Sequence, residues 1–216
     1  MTIKAVIFDM DGLMFNSEDI YYASSDEALA KRGKKYTPEI HKMIMGTSAQ
    51  ASMKTLIREL NLTDNWQDLI LETHIIFQKL LPSMLKPMPG LFDLLDFLEE
   101  NNIPRAIATS TNRDLMQKTL SVFDLEKRFN QTVTGSDVTH GKPNPEIYLK
   151  AAAALGFNAE QCLVLEDSST GCRAAKNAGA FTVAVPAEHS KDQDFSFVDL
   201  IANTLADPRI RRCLIS

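Results

Sequence analysis

Residues 5–12 read Ala-Val-Ile-Phe-Asp-Met-Asp-Gly, and this stretch decides the fold. Four apolar residues in a row, with no polar alternation, are typical of a strand buried on both faces of a parallel sheet. Similar short apolar runs recur at 106–108, 132–134, 163–165 and 182–185. Because segments of helical period separate the later runs, the sequence predicts right-handed βαβ units and a doubly wound parallel sheet of the α/β class.

A long helical stretch interrupts this alternation after the first strand. Apolar residues between 17 and 83 follow helical spacing, and the prolines from Pro82 onward are expected to end the helices. The sequence therefore predicts a Rossmann-like core of residues 1–15 and 84–216, with an all-helical cap domain inserted at residues 16–83. Since open α/β sheets bind ligands at the carboxyl ends of their strands, we expect the insert to act as a lid. A final helix is expected at residues 198–205.

Composition excludes several classes of protein. The chain has 216 residues, with 23 basic and 28 acidic side chains and a net charge of −5. Phosphate backbones attract clustered Lys and Arg, so we expect no nucleic acid polymer as a partner. No apolar run approaches the roughly 20 residues of a membrane span, so no membrane partner is expected. Three cysteines without Cys-x-x-Cys spacing argue against a disulfide framework and a structural zinc site. We expect a soluble, monomeric, cytoplasmic protein.

Acidic side chains follow two of the predicted strands. Asp9 and Asp11 follow the first, and Glu166 and Asp167 follow the fourth. Parallel strands share one carboxyl edge, so these acids should lie close together. Clustered carboxylates repel one another unless a cation intervenes, and oxygen ligands beside a substrate phosphate suit Mg²⁺. One of the first two acids could attack phosphorus while the other transfers protons. The plainer interpretations are an Asp-Gly turn and a helix N-cap.

Two further segments could bind phosphate. Thr109 and Ser110 follow the second apolar run and open a helix, where a hydroxyl and backbone N–H groups bind anions well. Lys142 lies in a Gly-Lys-Pro-Asn-Pro loop at 141–145, whose prolines stiffen it. A lysine held near the crevice would neutralise both the acids and a phosphate. The alternatives are a plain capping segment and a solvated surface lysine.

In their order and placement, these motifs resemble those of the haloacid-dehalogenase superfamily of aspartate-nucleophile phosphohydrolases. Phe-Asp-Met-Asp-Gly-Leu at 8–13 is similar to the first motif, and Ala-Thr-Ser at 108–110 to the second. The lysine loop at 141–145 is similar to the third motif, and Leu-Glu-Asp-Ser at 165–168 to the fourth. The insert resembles the helical cap of the phosphoglucomutase-like branch.

The resemblance implies Mg²⁺-dependent hydrolysis of a phosphomonoester through an aspartyl-phosphate intermediate. Asp9 would attack phosphorus, and Asp11 would protonate the leaving oxygen and then activate water. The phosphoryl oxygens would be held by Thr109, Ser110 and Lys142. The metal ion would be held by Asp9, the backbone carbonyl of Asp11, Asp167 and Glu166, the last directly or through water.

The resemblance also bears on the substrate. The cap loop is expected to recognise the leaving group, and its small polar residues suggest a hydroxyl-rich ligand; these residues are Gly46, Thr47, Ser48 and Gln50. Segments at 88–90, 103–104 and 140–143 are similar to the pseudouridine-5′-phosphate phosphatase group, and much of this similarity is shared with sugar-phosphate phosphatases. The expected substrate is a small phosphorylated metabolite, either a sugar phosphate or a nucleoside monophosphate.

Two alternatives remain open at this point. The first is a β-phosphoglucomutase-like phosphotransferase; such mutases typically carry a His in the first cap helix and an Arg after a cap Gly-x-Ser. Tyr21 and Ala49 stand at those places here and lack the required chemistry, which favours a hydrolase. The second is a non-catalytic phosphometabolite-binding protein, against which the complete set of motif residues weighs. Relatives commonly carry Asp where this chain has Asn16. This difference lies at the expected hinge between core and cap and does not change the residues implied in the reaction.

Overall fold

A parallel sheet of six strands forms the centre of the fold, counted over residues 2–44 and 49–215, which the computed structural model describes. The strand order is β3-β2-β1-β4-β5-β6, and neighbouring strands are parallel. The order reverses between β1 and β4, which confirms the predicted doubly wound α/β fold. The strands are β1 (Ala5–Phe8), β2 (Arg105–Thr109), β3 (Gln131–Thr134), β4 (Cys162–Glu166), β5 (Phe181–Ala184) and β6 (Leu200–Ile201).

Helices surround the sheet and form the insert. Within the described residues they are α1 (Ser17–Ala30), α2 (Pro38–Ile44), α3 (Ala49–Glu59), α4 (Trp66–Met84), α5 (Leu91–Glu100), α6 (Arg113–Ser121), α7 (Glu146–Ala154), α8 (Ser169–Asn177) and α9 (Pro208–Leu214). All residues of β1 and β4 are buried, which explains the apolar runs at 5–8 and 162–165. Among these helices, none is both long enough and apolar enough to cross a membrane.

One face of the sheet packs against α7 and α8. Ile7 and Val164 from the strands join Ile147 and Ala151 from α7 in one buried cluster. Small alanine side chains dominate the helix side of this cluster, so the backbone of α7 can approach the sheet closely. This close approach matters for the site, because α7 directly follows the lysine loop.

The chain divides into two compact units. The core unit comprises Met1–Asn16 and Lys86–Ser216, and the helical unit comprises Ser17–Leu85. Asn16 and Lys86, the core residues at the two crossings, bond to each other: the Asn16 N–H donates to the Lys86 carbonyl at 3.1 Å, and the Lys86 N–H donates to Asn16 Oδ1 at 2.7 Å. Asn16 therefore supplies an acceptor that an aspartate would also supply.

The helical unit has a hydrophobic centre of its own. Leu29, Leu56 and Ile76 are buried in one cluster contributed by α1, α3 and α4. Its ion pairs lie nearer the surface, where Arg32 contacts Asp64 at 2.6 Å with about a fifth of each side chain exposed. Apolar packing therefore holds this unit together, as expected for amphipathic helices.

Proline does not end the helical insert where the sequence indicates. Pro82 lies inside α4, which continues to Met84. Because proline has no backbone N–H, α4 lacks one of its hydrogen bonds at this position, yet the helix continues for two more residues. The Leu85 N–H still donates to the Leu81 carbonyl at 3.0 Å.

The helix expected at residues 198–205 is wrong. Leu200–Ile201 form β6 at the edge of the sheet, where Leu200 pairs with Val183. The last helix begins at Pro208, and the Asp207 side chain caps it by accepting from the Arg209 N–H at 2.9 Å. Periodicity in so short an apolar run cannot distinguish a helix from a strand.

Candidate active site

The predicted acids and threonine meet at the carboxyl edge of the sheet. Asp9 directly follows β1, Thr109 is the last residue of β2, and Glu166 is the last residue of β4. Strand β1 lies between β2 and β4 in the sheet. The three side chains therefore leave neighbouring strands at the point where α/β sheets bind ligands.

Lys142 connects the two acidic motifs. Its Nζ donates to Asp9 Oδ1 at 2.5 Å and to Glu166 Oε1 at 2.6 Å, and it lies 3.3 Å from the Ala108 carbonyl oxygen. Only 9% of its side chain is exposed. The interpretation of Lys142 as a solvated surface lysine is therefore wrong. The ammonium lies where it could contact a phosphoryl group carried by Asp9.

Protein donors fix the Glu166 carboxylate on both of its oxygens. Oε1 accepts from Lys142 and from the Tyr148 hydroxyl at 2.7 Å. Oε2 accepts from the Ser168 N–H at 3.1 Å and from the Ser168 hydroxyl at 3.0 Å. A Cβ atom at Gly171 would lie 1.6 Å from Oε1, so α8 can pass the carboxylate only with a glycine there. The side chain of Glu166 is 1% exposed.

The buried group formed by Asp9, Glu166 and Lys142 contains two acids and one ammonium. Burial raises the pKa of Asp9, and Glu166 and Asp11 add to the rise, while Lys142 opposes it. Burial also disfavours ionised Glu166, but Lys142 together with the hydrogen bonds from Tyr148 and Ser168 outweighs that effect and holds the pKa of Glu166 below its usual range. Burial disfavours the ammonium of Lys142 too, yet its two carboxylate partners hold the pKa of Lys142 well above the ordinary value. One ammonium serves two carboxylates, and Asp9 is left short of positive charge.

Two hydroxyl groups from the end of β2 hold Asp11. Asp11 Oδ2 accepts from Thr109 Oγ1 at 3.1 Å and from Thr111 Oγ1 at 2.7 Å. The Thr111 N–H in turn donates to Thr109 Oγ1 at 3.1 Å, so the three residues form one network. Helix α6 is capped by the next residue, Asn112, whose side chain accepts from the Leu115 N–H at 2.9 Å. Asn112 is therefore the N-cap of α6, whereas Thr109 and Thr111 donate hydrogen bonds to Asp11.

The donor set fits a hard divalent cation. Asp9, Glu166 and Asp167 are buried, and each offers a carboxylate oxygen within 4.8 Å of the others. Gly12 has a φ of 79° and turns the chain under Asp167, where a Cβ would lie 2.4 Å from Asp167 Oδ2. Burial is the main cause of the raised pKa of Asp9, and a bound Mg²⁺ would favour the ionised form of this carboxyl group. Glu166 already accepts protein donors on both oxygens, so a direct contact between Glu166 and the ion would compete with these bonds.

The other predicted residues are less closely tied to this network. Ser110 is exposed at the end of β2. Ser168 caps α8, since its hydroxyl accepts from the Gly171 N–H at 3.1 Å, so the fourth motif contains both a cap and the acids. In the predicted specificity loop, Gln50 is exposed in the first turn of α3. Gly46, Thr47 and Ser48 lie outside the described residues.

Sequence reasoning places Thr111 in the polar segment considered for phosphate binding but does not assign it to Asp11, and it does not find Tyr148. Thr111 belongs to a run of polar residues before a helix, and nothing in the run shows which acid a hydroxyl reaches. Tyr148 is fully buried, with the Lys142 ammonium 5.0 Å from the centroid of its ring. The one available signal is a tyrosine soon after the lysine loop, in a helix made mostly of alanine and other apolar residues.

Comparison with known proteins agrees with this geometry. A sequence profile of the family described as "Haloacid dehalogenase-like hydrolase" matches residues 6–185. The chain is 36% identical over 177 residues to the Thermotoga maritima protein named "Phosphorylated carbohydrates phosphatase", with 82% of each chain covered. It is 32% identical over 207 residues to the Drosophila melanogaster protein named "Probable pseudouridine-5'-phosphatase", with 93% of this chain and 89% of the relative covered.

Solved structures show the same fold. The crystal structure of CbbY from Rhodobacter sphaeroides in complex with phosphate has a TM-score of 0.84 at 24% identity, covering 95% of this chain and 96% of that chain. At this identity the likeness concerns the fold alone. The profile match is more specific, because its span includes Asp9, Lys142 and Asp167 together with the helical insert. This chain belongs to the haloacid dehalogenase-like hydrolase family.

Proposed function

We propose that this protein is a Mg²⁺-dependent phosphomonoester hydrolase that forms an aspartyl-phosphate on Asp9. One observation carries the proposal: the Asp9 carboxylate, at the end of β1, lies 2.5 Å from the buried ammonium of Lys142. A nucleophile and a cation at this separation can hold a phosphoryl group against the attacking oxygen. Relatives named as phosphatases support the same reaction class.

In the first half of the reaction, a carboxylate oxygen of Asp9 attacks the phosphorus. A new bond forms between this oxygen and phosphorus while the bond to the ester oxygen breaks. Asp11 gives its proton to the departing oxygen, which leaves as an alcohol. Thr109 and Thr111 hold the Asp11 carboxyl group in place for this transfer. Lys142 offsets the charge on the phosphoryl oxygens, with Ser110 as a further donor; Thr109 donates to them when its hydroxyl turns from Asp11 to the substrate.

In the second half, water attacks the phosphorus of the aspartyl-phosphate. Asp11 has lost its proton and now accepts one from the attacking water. The bond between phosphorus and Asp9 breaks, inorganic phosphate leaves, and the Asp9 carboxylate is regenerated. The same carboxyl group thus acts first as an acid and then as a base.

Mg²⁺ would be held by Asp9, Asp167 and the backbone carbonyl of Asp11, with Glu166 bound directly or through water. When bound, the ion neutralises negative charge on the phosphoryl group and on the carboxylates around it. The protein itself keeps Lys142 between Asp9 and Glu166, both within 2.6 Å of its Nζ. The acids therefore do not depend on the metal alone for charge compensation.

We infer that the helical unit is a cap that selects a small phosphorylated metabolite, either a sugar phosphate or a nucleoside monophosphate. Its insertion shortly after β1 supports this role, because β1 carries the proposed nucleophile. The names of the two relatives, one for phosphorylated carbohydrates and one for pseudouridine-5'-phosphate, support these substrate classes. Gln50 and the loop at 46–48 stay the predicted contacts of the leaving group.

The mutase alternative has less support. Tyr21, at the place where such mutases typically carry histidine, packs its ring against Phe77 within the helical unit, with ring centroids 4.4 Å apart. A phenol cannot replace the proton transfer of an imidazole near neutral pH. Hydrolysis is therefore the favoured reaction, and the test below distinguishes it from transfer and from binding without turnover.

The proposal also includes a monomeric protein of the cytoplasm that binds neither a nucleic acid polymer nor a membrane. The net charge of −5 supports the absence of a polyanionic partner. The cysteines Cys162, Cys172 and Cys213 are all in the thiol form, which supports a reducing compartment. Light scattering on a size-exclusion column would test the monomer, and a doubled mass would contradict it.

The test is phosphate release from a panel of sugar phosphates and nucleoside monophosphates, with Mg²⁺ and with EDTA. We expect Mg²⁺-dependent release that falls by about a thousandfold or more in Asp9→Asn, because the amide is a poor nucleophile. Asp93→Asn is the matched control, since Asp93 is exposed on α5 and should leave release unchanged. Isomerisation of β-glucose 1-phosphate without net release would indicate a mutase. Tight binding without turnover would indicate a silent binding protein.

A further inference from the structure

A buried tyrosine outside the four motifs contacts both Lys142 and Glu166. Tyr148 lies on α7 and is 0% exposed. Its hydroxyl donates to Glu166 Oε1 at 2.7 Å, and the Lys142 ammonium lies 5.0 Å from the centroid of its ring. Neither acid–base transfer nor phosphate binding, as described above, uses this residue.

The two contacts act on the same pair from different sides. Glu166 Oε1 accepts from Tyr148 and from Lys142 at 2.7 and 2.6 Å, so the hydroxyl fixes the oxygen that in turn fixes the ammonium. The ring also attracts the ammonium through a cation–π contact. Because α7 packs firmly on the sheet through Ile147 and Ala151, the phenol itself has little freedom to move.

Packing alone does not explain the hydroxyl. The buried neighbours of Tyr148 on α7 are Ile147, Ala151 and Ala152, all apolar. A phenylalanine would fill nearly the same volume without the cost of burying a polar oxygen. What tyrosine adds is a short hydrogen bond to an ionised carboxylate of the site, which is stronger than a neutral hydrogen bond.

We infer that Tyr148 is a positioning residue of the reaction: through Glu166 it keeps Lys142 aligned with the phosphoryl group on Asp9. This inference rests on the phosphohydrolase function proposed above. Without the hydroxyl, Glu166 Oε1 loses one of its two fixed partners, and Lys142 gains freedom to leave its position beside Asp9. Lys142 then stabilises the transition state less, while the other contacts of the substrate persist. The loss therefore falls on kcat more than on KM.

The experiment compares steady-state phosphate release by wild type, Tyr148→Phe and Tyr36→Phe with Mg²⁺. Tyr36 is a matched control in the helical unit: it is buried, and its hydroxyl lies 3.1 Å from His41 Nδ1. For Tyr148→Phe we expect kcat to fall about 5- to 20-fold and KM to change less than about twofold, because a residue that acts through Glu166 passes on only part of the value of its hydrogen bond to a charged group. An unchanged kcat, or an equal loss in Tyr36→Phe, would overturn the inference.

A double-mutant cycle with Lys142→Ala separates positioning from a general loosening of the fold. If Tyr148 acts through Lys142, Tyr148→Phe should have no further effect on kcat in the Lys142→Ala background. An undiminished effect in that background would overturn the inference. Should Tyr148→Phe fail to fold, 3-fluorotyrosine at position 148 keeps the shape and alters only the strength of the donor. A change in kcat without a change in KM would then support the inference, and no change would overturn it.

The same measurements distinguish the two proposals. If wild type releases no phosphate from any substrate of the panel, the phosphohydrolase function fails and the positioning role fails with it. If wild type releases phosphate and Tyr148→Phe matches it, only the positioning role fails.

Discussion

The two units of the molecule differ in how deeply their paired charged side chains are buried. In the core unit, the side chains of Lys142, Asp9 and Glu166 are 9%, 8% and 1% exposed. In the helical unit, Arg32 and Asp64 keep 21% and 22% of their side chains in contact with solvent. Burying charge is unfavourable, and a partner offsets the cost only where geometry is good and further hydrogen bonds satisfy both groups. The core unit therefore keeps two buried carboxylates with one ammonium between them at the carboxyl edge of the sheet. The helical unit, by contrast, is held together by apolar packing.

The largest difference should come from removing one cation in each unit. Lys142→Met leaves Asp9 and Glu166 buried with no ammonium between them, so we expect a loss of about 3 kcal/mol in the free energy of unfolding. Phosphate release should fall by about a hundredfold or more, because the charge on the phosphoryl group loses its partner. Arg32→Met breaks partly exposed pairs and should cost less than about 1 kcal/mol. Urea unfolding in EDTA and phosphate release in Mg²⁺ measure both effects.

Equal losses of stability in the two variants would contradict this comparison, since burial would then make no difference to the value of an ion pair. A large loss of release in Arg32→Met, with an intact fold, would show that the helical unit contributes directly to the chemistry.

The second comparison concerns the space between α8 and the Glu166 carboxylate. Gly171→Ala would place a methyl group 1.6 Å from the present position of Glu166 Oε1. Since both oxygens of Glu166 are already bonded, we expect a loss of about 3 kcal/mol and a clear drop in phosphate release. Gly33→Ala in the helical unit meets nothing within 4 Å but forces alanine into a φ of +65°, which should cost about 1 kcal/mol.

Thermal unfolding and phosphate release of the two alanine variants check this prediction. If Gly171→Ala is as stable and as active as wild type, Glu166 can move away from its donors. Its fixed position would then have no part in holding Lys142.

These differences also explain what the sequence could predict. The strands β1 and β4 are recognisable because burial on both faces leaves a local trace, an unbroken apolar run. Strand β6 leaves no such trace: it is two residues long, and its pairing with β5 depends on distant parts of the chain. The same limit applies to Pro82, whose effect depends on where in α4 it falls.

For the candidate site, the acids are predictable and their partners are not. Parallel strands bring their carboxyl ends to one edge, so Asp9 and Glu166 can be placed together from strand order alone. Thr111 reaches Asp11 from the loop between β2 and α6, and Tyr148 reaches Glu166 because α7 packs on the sheet. That packing depends on side chains spread over the whole core, and no local spacing encodes it.

A smaller effect should follow from removing one hydroxyl in each unit. Thr111→Val takes away the hydroxyl that lies 2.7 Å from Asp11 Oδ2, so kcat should fall about fivefold as the proton donor loses alignment. Thr73→Val is the matched control, since the Thr73 hydroxyl donates to the Leu69 carbonyl within α4 at 2.9 Å. Each variant should lose about 1 kcal/mol or less of stability. A fall in kcat of the same size in Thr73→Val would contradict a specific role for Thr111.

The smallest effect is a pH dependence of stability away from the acids of the site. Its source in the core unit is Asp137, whose pKa Arg113 and Thr134 lower to about 2. The unfolded value is about 3.9, so the folded state is stabilised above pH 4, and the gain is lost as the pH falls towards 2. The side chain is 34% exposed, so solvent screening limits the gain to about 1 kcal/mol.

Urea unfolding of wild type and Asp137→Asn at pH 7, 4 and 2.5 measures this contribution. The variant should be less stable at pH 7 by that amount, and the difference should fall to about a third of its value at pH 2.5. Asp64→Asn in the helical unit should show the same sign, because Arg32 lowers the pKa of Asp64 in the same way. A shared sign would mean that acid weakens exposed pairs alike in both units, so that the contrast between the units lies in the buried group around Lys142. A difference that grows as the pH falls would contradict this assignment.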